Sequence, residues 1–168
     1  MNDSAHTFLV IAALDLILVP FFIVVSALFP KRVLKTQRNI DLMPGRSFTV
    51  GLVNFLFFFA IVLVLFILSD KTDGLLKVIL LIPAVLISTV LTITLSLGLA
   101  GMVNLIGERV APTHSPWRRT LWGALLLGIA CAVPFVGWFL LLPYAAWAGI
   151  GAFIFSFFQP DRPPLLKE

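Results

Sequence analysis

Asp15 is the side chain in this sequence with the most distinctive chemistry, because it is a carboxylic acid inside a long apolar run, residues 8–29. An ionised group near the centre of a bilayer costs on the order of 2.5 to 3.5 kcal/mol, so such acids usually carry protons or ions or are paired within the protein. Lys77, near the start of a later apolar run, is a candidate partner. We expect a structural role for Asp15, as an ion pair between helices or a protonated carboxyl. A proton or cation pathway is the alternative.

Asn54 is a second polar group within an apolar run. Counting outward from the short polar connector at residues 70–74 places Asn54 opposite about residue 90, at the depth of Ser88, Thr89 and Thr92. Lipid cannot satisfy an amide, and a hydrogen bond between membrane helices contributes roughly 0.6 to 2 kcal/mol. The sequence therefore predicts a structural clamp between two helices here, with a polar substrate site as the alternative.

The other reactive side chains do not form the clusters that catalysis or metal binding requires. Cys131 is the single cysteine, which excludes a zinc site of the usual Cys/His type. His6 and His114 fall on opposite membrane faces in the topology given below, so they cannot hold one haem together. The residues of a Ser/His/Asp triad do not converge in sequence or depth. We therefore expect no enzyme activity, no metal and no cofactor.

Small and aromatic residues indicate where helices pack and where the membrane ends. Glycines allow two membrane helices to approach closely, whereas Trp and Tyr are enriched at the boundary between lipid and water. The glycines predicted to pack helices are Gly98, Gly101, Gly149 and Gly151. The aromatic residues predicted at the interface are Trp117, Trp122, Trp138 and Tyr144.

The elements that position these residues are transmembrane helices. Of the 168 residues, 60% are hydrophobic and only 12% are charged, which excludes a soluble domain. The charges separate apolar runs that are long enough to cross a bilayer. The predicted helices cover residues 7–29, 48–69, 75–107, 119–133 and 138–158, within a single integral membrane domain, residues 1–168.

The last apolar region, residues 120–158, is too long for one straight crossing. Pro134 removes a helical hydrogen bond and Gly137 permits a backbone reversal, so we expect a turn between two antiparallel helices. The predicted fold is an all-α, polytopic transmembrane bundle of five helices, or of four if this region is one kinked helix. The third helix exceeds the roughly 30 Å hydrocarbon core, so it must tilt, break near residues 98–101 or project from the membrane.

The distribution of basic residues predicts the orientation. In the five-helix arrangement, ten of the twelve Lys and Arg residues fall on one side, including those of a predicted connector at residues 30–47. Cytoplasmic connectors are enriched in Lys and Arg. We therefore expect the N-terminus outside and the C-terminus in the cytoplasm.

These observations favour a small accessory or scaffold subunit that stabilises or assembles a larger integral-membrane complex. The expected partners are other integral membrane subunits and lipids. The basic residues form no separate domain, so nucleic acid is not expected as a partner. The alternative is a small proton- or ion-coupled transporter or channel that uses Asp15.

Overall fold

The chain is an all-α helical bundle. The computed structural model describes residues 3–132 and 136–158, with the backbone alone at residues 3–15, 132 and 138. It contains no strand in these ranges. The helices are α1 Asp3–Leu28, α2 Pro30–Leu42, α3 Pro44–Asp70, α4 Leu75–Val110, α5 Pro116–Ala132 and α6 Leu142–Phe158, with a π-helical turn at Gly137–Leu141 that leads into α6.

Several of these helices are long and apolar enough to cross a membrane. Within the described residues they are α3, α4 and the continuous segment Phe139–Phe158. Leu16–Leu28 of α1 and the whole of α2 meet at 106° and count as a fourth candidate only if they are taken together. The chain is therefore a multi-pass membrane protein with three or four candidate spans. Helix α5, with 17 residues, is shorter than the three single-segment spans.

Helix α2 corrects the prediction that residues 30–47 are a connector that faces water or lipid headgroups. Pro30 occupies the first helical turn, where its missing N–H costs nothing. Val33, Thr36, Gln37 and Ile40 follow at helical spacing and are buried against α4 and α6. The many charged residues of this segment made the helical spacing of its buried residues difficult to recognise in the sequence. Part of what was expected to face water or lipid headgroups is therefore a helix packed into the bundle.

Helices α3 and α4 form an antiparallel pair closed by a short turn. Gly74 adopts φ 69°, in the left-handed region that side chains disfavour, so glycine suits this position. Across the turn, the Ser69 hydroxyl donates a hydrogen bond of 3.4 Å to the Lys77 carbonyl oxygen.

Helix α4 has 36 residues, which at 1.5 Å per residue makes it roughly 54 Å long. It continues through Gly98 and Gly101 without a break, so its length is accommodated by tilt or by projection beyond the hydrocarbon core. Helix α4 is central to the packing of the bundle, because α2, α3, α5 and α6 all pack against it.

The last apolar region is interrupted at Gly137. A Cβ placed on Gly137 would lie 2.6 Å from the Ala130 carbonyl oxygen. In a continuous helix those residues would be roughly 10 Å apart along the axis, so α5 and the π-helical turn are not parts of one straight helix. Helices α5 and α6 pack on α4 and, among the described residues, do not lie side by side. Pro134 lies outside the described residues.

One end of the bundle collects basic side chains, and we call it the basic end. Here α2, the last turns of α4 and the first turn of α5 meet, and the Arg109 Nη2 lies 2.6 Å from the Asp41 Oδ1 in an exposed ion pair. The opposite end holds the turn between α3 and α4. The described basic residues at the basic end are Lys31, Arg32, Lys35, Arg38, Arg46, Arg109, Arg118 and Arg119.

Candidate functional site

Four glycines line contacts of α6 with its neighbours. Gly98 of α4 lies against Gly149 of α6, and a Cβ on Gly98 would come within 2.7 Å of the Gly149 carbonyl oxygen. Gly151 lies against Gly51 of α3, with the Gly51 backbone nitrogen 2.8 Å from the position of a Cβ. Because these positions have no room for a side chain, the backbones of α3, α4 and α6 approach closely. Gly51 was not singled out from sequence.

The other close glycine contacts involve α4 and the helices at the basic end. A Cβ on Gly101 would lie 2.7 Å from the Thr36 methyl carbon of α2. Gly107 and Gly123 bring α4 and α5 together, and a Cβ on Gly123 would lie 2.9 Å from the Gly107 nitrogen. Sequence reasoning missed Gly107 and Gly123, although both lie in apolar or small-residue stretches where helix packing could have been expected.

The predicted clamp between Asn54 and α4 is wrong. The Asn54 amide donates to the Val50 carbonyl oxygen of its own helix at 2.8 Å. Ser88, Thr89 and Thr92 each donate to the carbonyl four residues earlier, also at 2.8 Å. The three hydroxyls therefore donate within α4, and the Asn54 amide donates within α3 rather than across to α4.

The predicted approach of Lys77 toward Asp15 stays a prediction, because the Asp15 side chain lies outside the described residues. Lys77 is exposed near the start of α4.

The aromatic residues predicted at the interface have exposed surfaces where they are described. Trp117 is 54% exposed, Trp122 is 47% exposed and Tyr144 is 39% exposed. The Arg118 guanidinium lies over the Trp117 ring at 5.3 Å, and the Tyr144 ring stacks on Phe48 with centroids 5.6 Å apart. Trp138 lies among the residues described by backbone alone.

A cleft of about 480 Å³ at the basic end is the most chemically diverse site in the described structure. It lies where the elbow between α1 and α2 meets the end of α4 and the start of α5. Its polar lining residues are Ser26, Gln37, Asn104, Glu108, Arg119 and Thr120, and Trp117 also borders it. Its apolar wall consists of Ile23, Ala27, Pro30, Val33, Leu34 and Pro116. None of the polar lining residues was singled out from sequence.

Asn104 connects three helices within this cleft. Its amide nitrogen donates to the Ser26 hydroxyl of α1 at 3.0 Å, and its amide oxygen accepts from the buried Thr120 hydroxyl of α5 at 2.6 Å. Thr120 also lies within 3.2 Å of the Pro116 carbonyl oxygen. The amide can serve α1 and α5 at once because it both donates and accepts. The Asn104 side chain is therefore a junction between α1, α4 and α5.

Two opposite charges line the same cleft, each held by neutral groups. The Gln37 amide of α2, itself 8% exposed, donates to the Glu108 carboxylate. The Arg119 guanidinium donates through Nε to the His114 carbonyl oxygen at 2.9 Å and through Nη2 to the Pro112 carbonyl oxygen. Within the described part of the chain, Glu108 and Arg119 form no salt bridge with each other.

This arrangement provides hydrogen-bonding and charged groups in a cleft that is mostly apolar. The Ser26 hydroxyl is paired with an amide, which is not a base that could activate it for nucleophilic attack. The charged groups instead suit an amphiphilic ligand, which has both polar and apolar parts.

A separate buried polar contact ties α2 to α6. Asn39 is 2% exposed, and its amide nitrogen donates to the Ala152 carbonyl oxygen at 3.1 Å. Its amide oxygen has no hydrogen-bond partner among the described residues. Ser47 lies 3.5 Å from the Asn39 carbonyl oxygen at the junction of α2 and α3. Sequence reasoning missed Asn39 because it treated residues 30–47 as a connector.

An apolar groove of about 690 Å³ lies elsewhere, between α3, α4 and α6. Its lining is almost wholly hydrocarbon, with Asn54 and Thr94 as its polar members, and it shares no lining residue with the cleft. The ring of Phe157, at one side of the groove, contacts the Arg32 guanidinium at 4.3 Å.

Comparisons with known proteins do not identify a family. No family model matches the chain, and no curated protein or solved structure matches it.

Proposed function

We propose that this chain is a non-catalytic accessory subunit that stabilises or assembles a larger integral-membrane complex. Its partners are other integral membrane subunits and the surrounding lipids. The proposed docking element is the helical pair α3–α4, which we call the α3–α4 hairpin.

The exposure of the α3–α4 hairpin carries this proposal. In the most apolar 18 residues of α3 and of α4, only 6% of the residues are buried within the chain, against 50% in the segment that contains α6. Within these two stretches, few side chains are fully buried and most apolar side chains keep exposed surface. Such a surface can be covered by lipid or by the helices of another subunit, and close packing between membrane helices is favourable where surfaces fit.

The groove beside this hairpin makes part of the same surface concave. Phe58 of α3, Val90 of α4 and Ile154 of α6 are among its lining residues. A concave apolar surface can accept a ridge of side chains from another helix, which a flat lipid-facing surface does not do. The groove thus supports an assembly role for the hairpin.

The distribution of ionisable groups supports an accessory role over a transporter. Residues 78–107 of α4 and residues 47–69 of α3 contain no Asp, Glu, Lys, Arg or His. A proton pathway through these helices would have no titratable side chain along them, and Asp15 alone cannot provide a relay across the membrane.

We also propose an orientation, with the basic end in the cytoplasm and the N-terminus outside. The clustering of basic residues at one end supports it, because Lys and Arg are enriched on the cytoplasmic side of membrane proteins.

Photocrosslinking in native membranes tests the assembly role. A photoreactive amino acid placed at Phe57 or Val90, which are 61% and 62% exposed, should give a discrete adduct with another membrane protein. Ile129 of α5 is 56% exposed and serves as the matched control, because it belongs to a helix outside the α3–α4 hairpin. The adduct should be absent at Ile129, and the crosslinked protein should copurify with the unmodified chain in mild detergent.

Two results would overturn the proposal. One is the absence of any discrete protein adduct at both hairpin positions. The other is transport of protons or cations by the purified chain alone in liposomes, because an accessory subunit has no flux of its own.

A further inference from the structure

We propose that the cleft at the basic end binds the headgroup of a zwitterionic phospholipid that carries a primary ammonium, such as phosphatidylethanolamine. In this arrangement, the Glu108 carboxylate accepts from the ammonium and the Arg119 guanidinium binds the phosphate. This site is independent of the proposed assembly role, because the cleft and the groove share no lining residue.

The separation of the two charges is the first reason. Glu108 and Arg119 line one cleft, yet no salt bridge joins them among the described residues. Gln37 holds the carboxylate, and the carbonyls of Pro112 and His114 hold the guanidinium. Two opposite charges that line one largely apolar cleft without pairing are complementary to a ligand that carries both charges. Groups held in place beforehand lose little conformational freedom on binding.

The composition of the cleft is the second reason, and it favours a lipid over a soluble zwitterion. Most of the wall is apolar, with Ile23, Val33 and Leu34 among its members. Leu34 is 62% exposed and Trp117 is 54% exposed, so the cleft is bordered by apolar groups that suit acyl chains at the membrane boundary. A small soluble zwitterion would leave this apolar wall uncovered.

The hydrogen-bonding groups of the cleft are the third reason. Ser26, Asn104 and Thr120 form a connected set in it, held at 3.0 Å and 2.6 Å. Hydroxyl and amide groups can bind the ester and phosphate oxygens that link a headgroup to its acyl chains. The cleft thus combines charged groups, hydrogen-bonding groups and an apolar wall, which match the three parts of a phospholipid.

Native mass spectrometry of the purified full-length chain tests this site. The chain is titrated separately with phosphatidylethanolamine, phosphatidylglycerol and phosphatidylcholine that have identical acyl chains. We expect phosphatidylethanolamine to be retained most, because phosphatidylglycerol lacks the cation and the quaternary ammonium of phosphatidylcholine cannot donate a hydrogen bond to Glu108. This comparison uses the unmodified chain, so it does not depend on the folding of any variant.

Glu108→Gln removes the charge while keeping an acceptor for Gln37. It should lower the retention of phosphatidylethanolamine about tenfold, the factor that corresponds to about 1.4 kcal/mol, and should leave phosphatidylglycerol unaffected. Asp41→Asn is the matched control, because it removes a carboxylate at the same end that is 51% exposed and lies outside the cleft. It should leave the retention of both lipids unchanged.

The proposal fails if the three lipids are retained equally, or if Asp41→Asn has the same effect as Glu108→Gln. It also fails if free phosphoethanolamine competes as strongly as the intact lipid, since the occupant would then be a soluble zwitterion.

Discussion

Gly98 of α4 and Gly149 of α6 face each other so closely that a Cβ on Gly149 would lie 2.6 Å from the Gly98 carbonyl carbon. Real Cβ atoms do not approach other carbon atoms to this distance, so a side chain at either position would force the two backbones apart. The contact sets the distance between α4, which supports most of the bundle, and α6, whose membrane-spanning segment is the most buried of the candidate spans.

Gly98→Ala should therefore destabilise the protein. Overpacking of a close contact costs roughly 1 to 3 kcal/mol, and backbone atoms cannot rotate away as a flexible side chain can. The thermal unfolding midpoint in detergent measures the effect. Gly45→Ala is the control, since Gly45 is in a helix and a Cβ there would meet nothing within 4 Å. It should be neutral or stabilising by roughly 0.5 to 1 kcal/mol. Equal midpoints for the two variants would contradict the packing role.

Asn39 gives a second prediction, based on its buried amide. Asn39→Asp replaces the nitrogen that donates to the Ala152 carbonyl with a carboxylate oxygen, so two acceptors would face each other at a position that is 2% exposed. We expect a loss of about 3 kcal/mol or more in stability, because an unpaired charge would be buried. Asn39→Leu should cost less, since it also removes the amide oxygen that has no partner among the described residues. Unfolding midpoints in one detergent compare the two variants, and a smaller loss for Asn39→Asp would be inconsistent with this geometry.

Asn104 and Thr120 should behave as a coupled pair. Asn104→Leu removes its bonds to α1 and α5, and Thr120→Val removes the donor of the 2.6 Å hydrogen bond. Each substitution should cost roughly 1 to 3 kcal/mol, and the double variant should lose less than the sum, by 0.5 kcal/mol or more. Thr94→Val is the control, because Thr94 donates to Val90 of its own helix. Strict additivity of the two substitutions would show that the side chains do not act together.

These contacts mark the limit of what the sequence could predict. The apolar runs alone indicated the α3–α4 hairpin, because the polar turn at residues 70–74 is too short for any other connection. The pairing of Gly98 with Gly149 joins positions 51 residues apart, and a small residue carries no information about which partner it meets. Glycine spacing therefore indicated surfaces for packing but not the helices that would cover them.

The polar residues were harder to interpret for a different physical reason. Asn54 and Asn104 are the same residue type within apolar helices, yet Asn54 bonds to its own backbone at 2.8 Å and Asn104 bonds to a second helix at 3.0 Å. The difference depends on which face each amide presents to its neighbours, which follows from packing. For α2, the charged residues concealed the helical spacing of Val33 and Ile40, so the helix that supplies Gln37 to the cleft was missed.

Cysteine labelling tests the proposed orientation. Asp73 and Arg38 are exposed at opposite ends of the bundle. In a Cys131→Ala background, Asp73→Cys should react with a membrane-impermeant maleimide in intact cells, whereas Arg38→Cys should react only after permeabilisation. The Cys131→Ala chain without added cysteine shows the background signal. The reverse pattern of labelling would place the basic end outside.

Asp15 supplies the prediction that separates an accessory subunit from a transporter. Asp15 lies in α1, which packs mainly on α5, and we expect its role to be structural. If that role is structural, Asp15→Asn keeps the shape and hydrogen bonding of the side chain. Assembly with partners should then survive better in Asp15→Asn than in Asp15→Leu, which can form no hydrogen bond.

The measurement is the amount of partner protein that copurifies with each variant, together with the unfolding midpoint of the chain. A proton carrier would give a different pattern, because neither Asn nor Leu can bind and release a proton. Both variants would then fold and assemble normally but lose transport. We expect no flux from the unmodified chain in liposomes. Proton or cation flux that disappears in Asp15→Asn, with assembly and stability unchanged, would contradict the structural role and support a transporter.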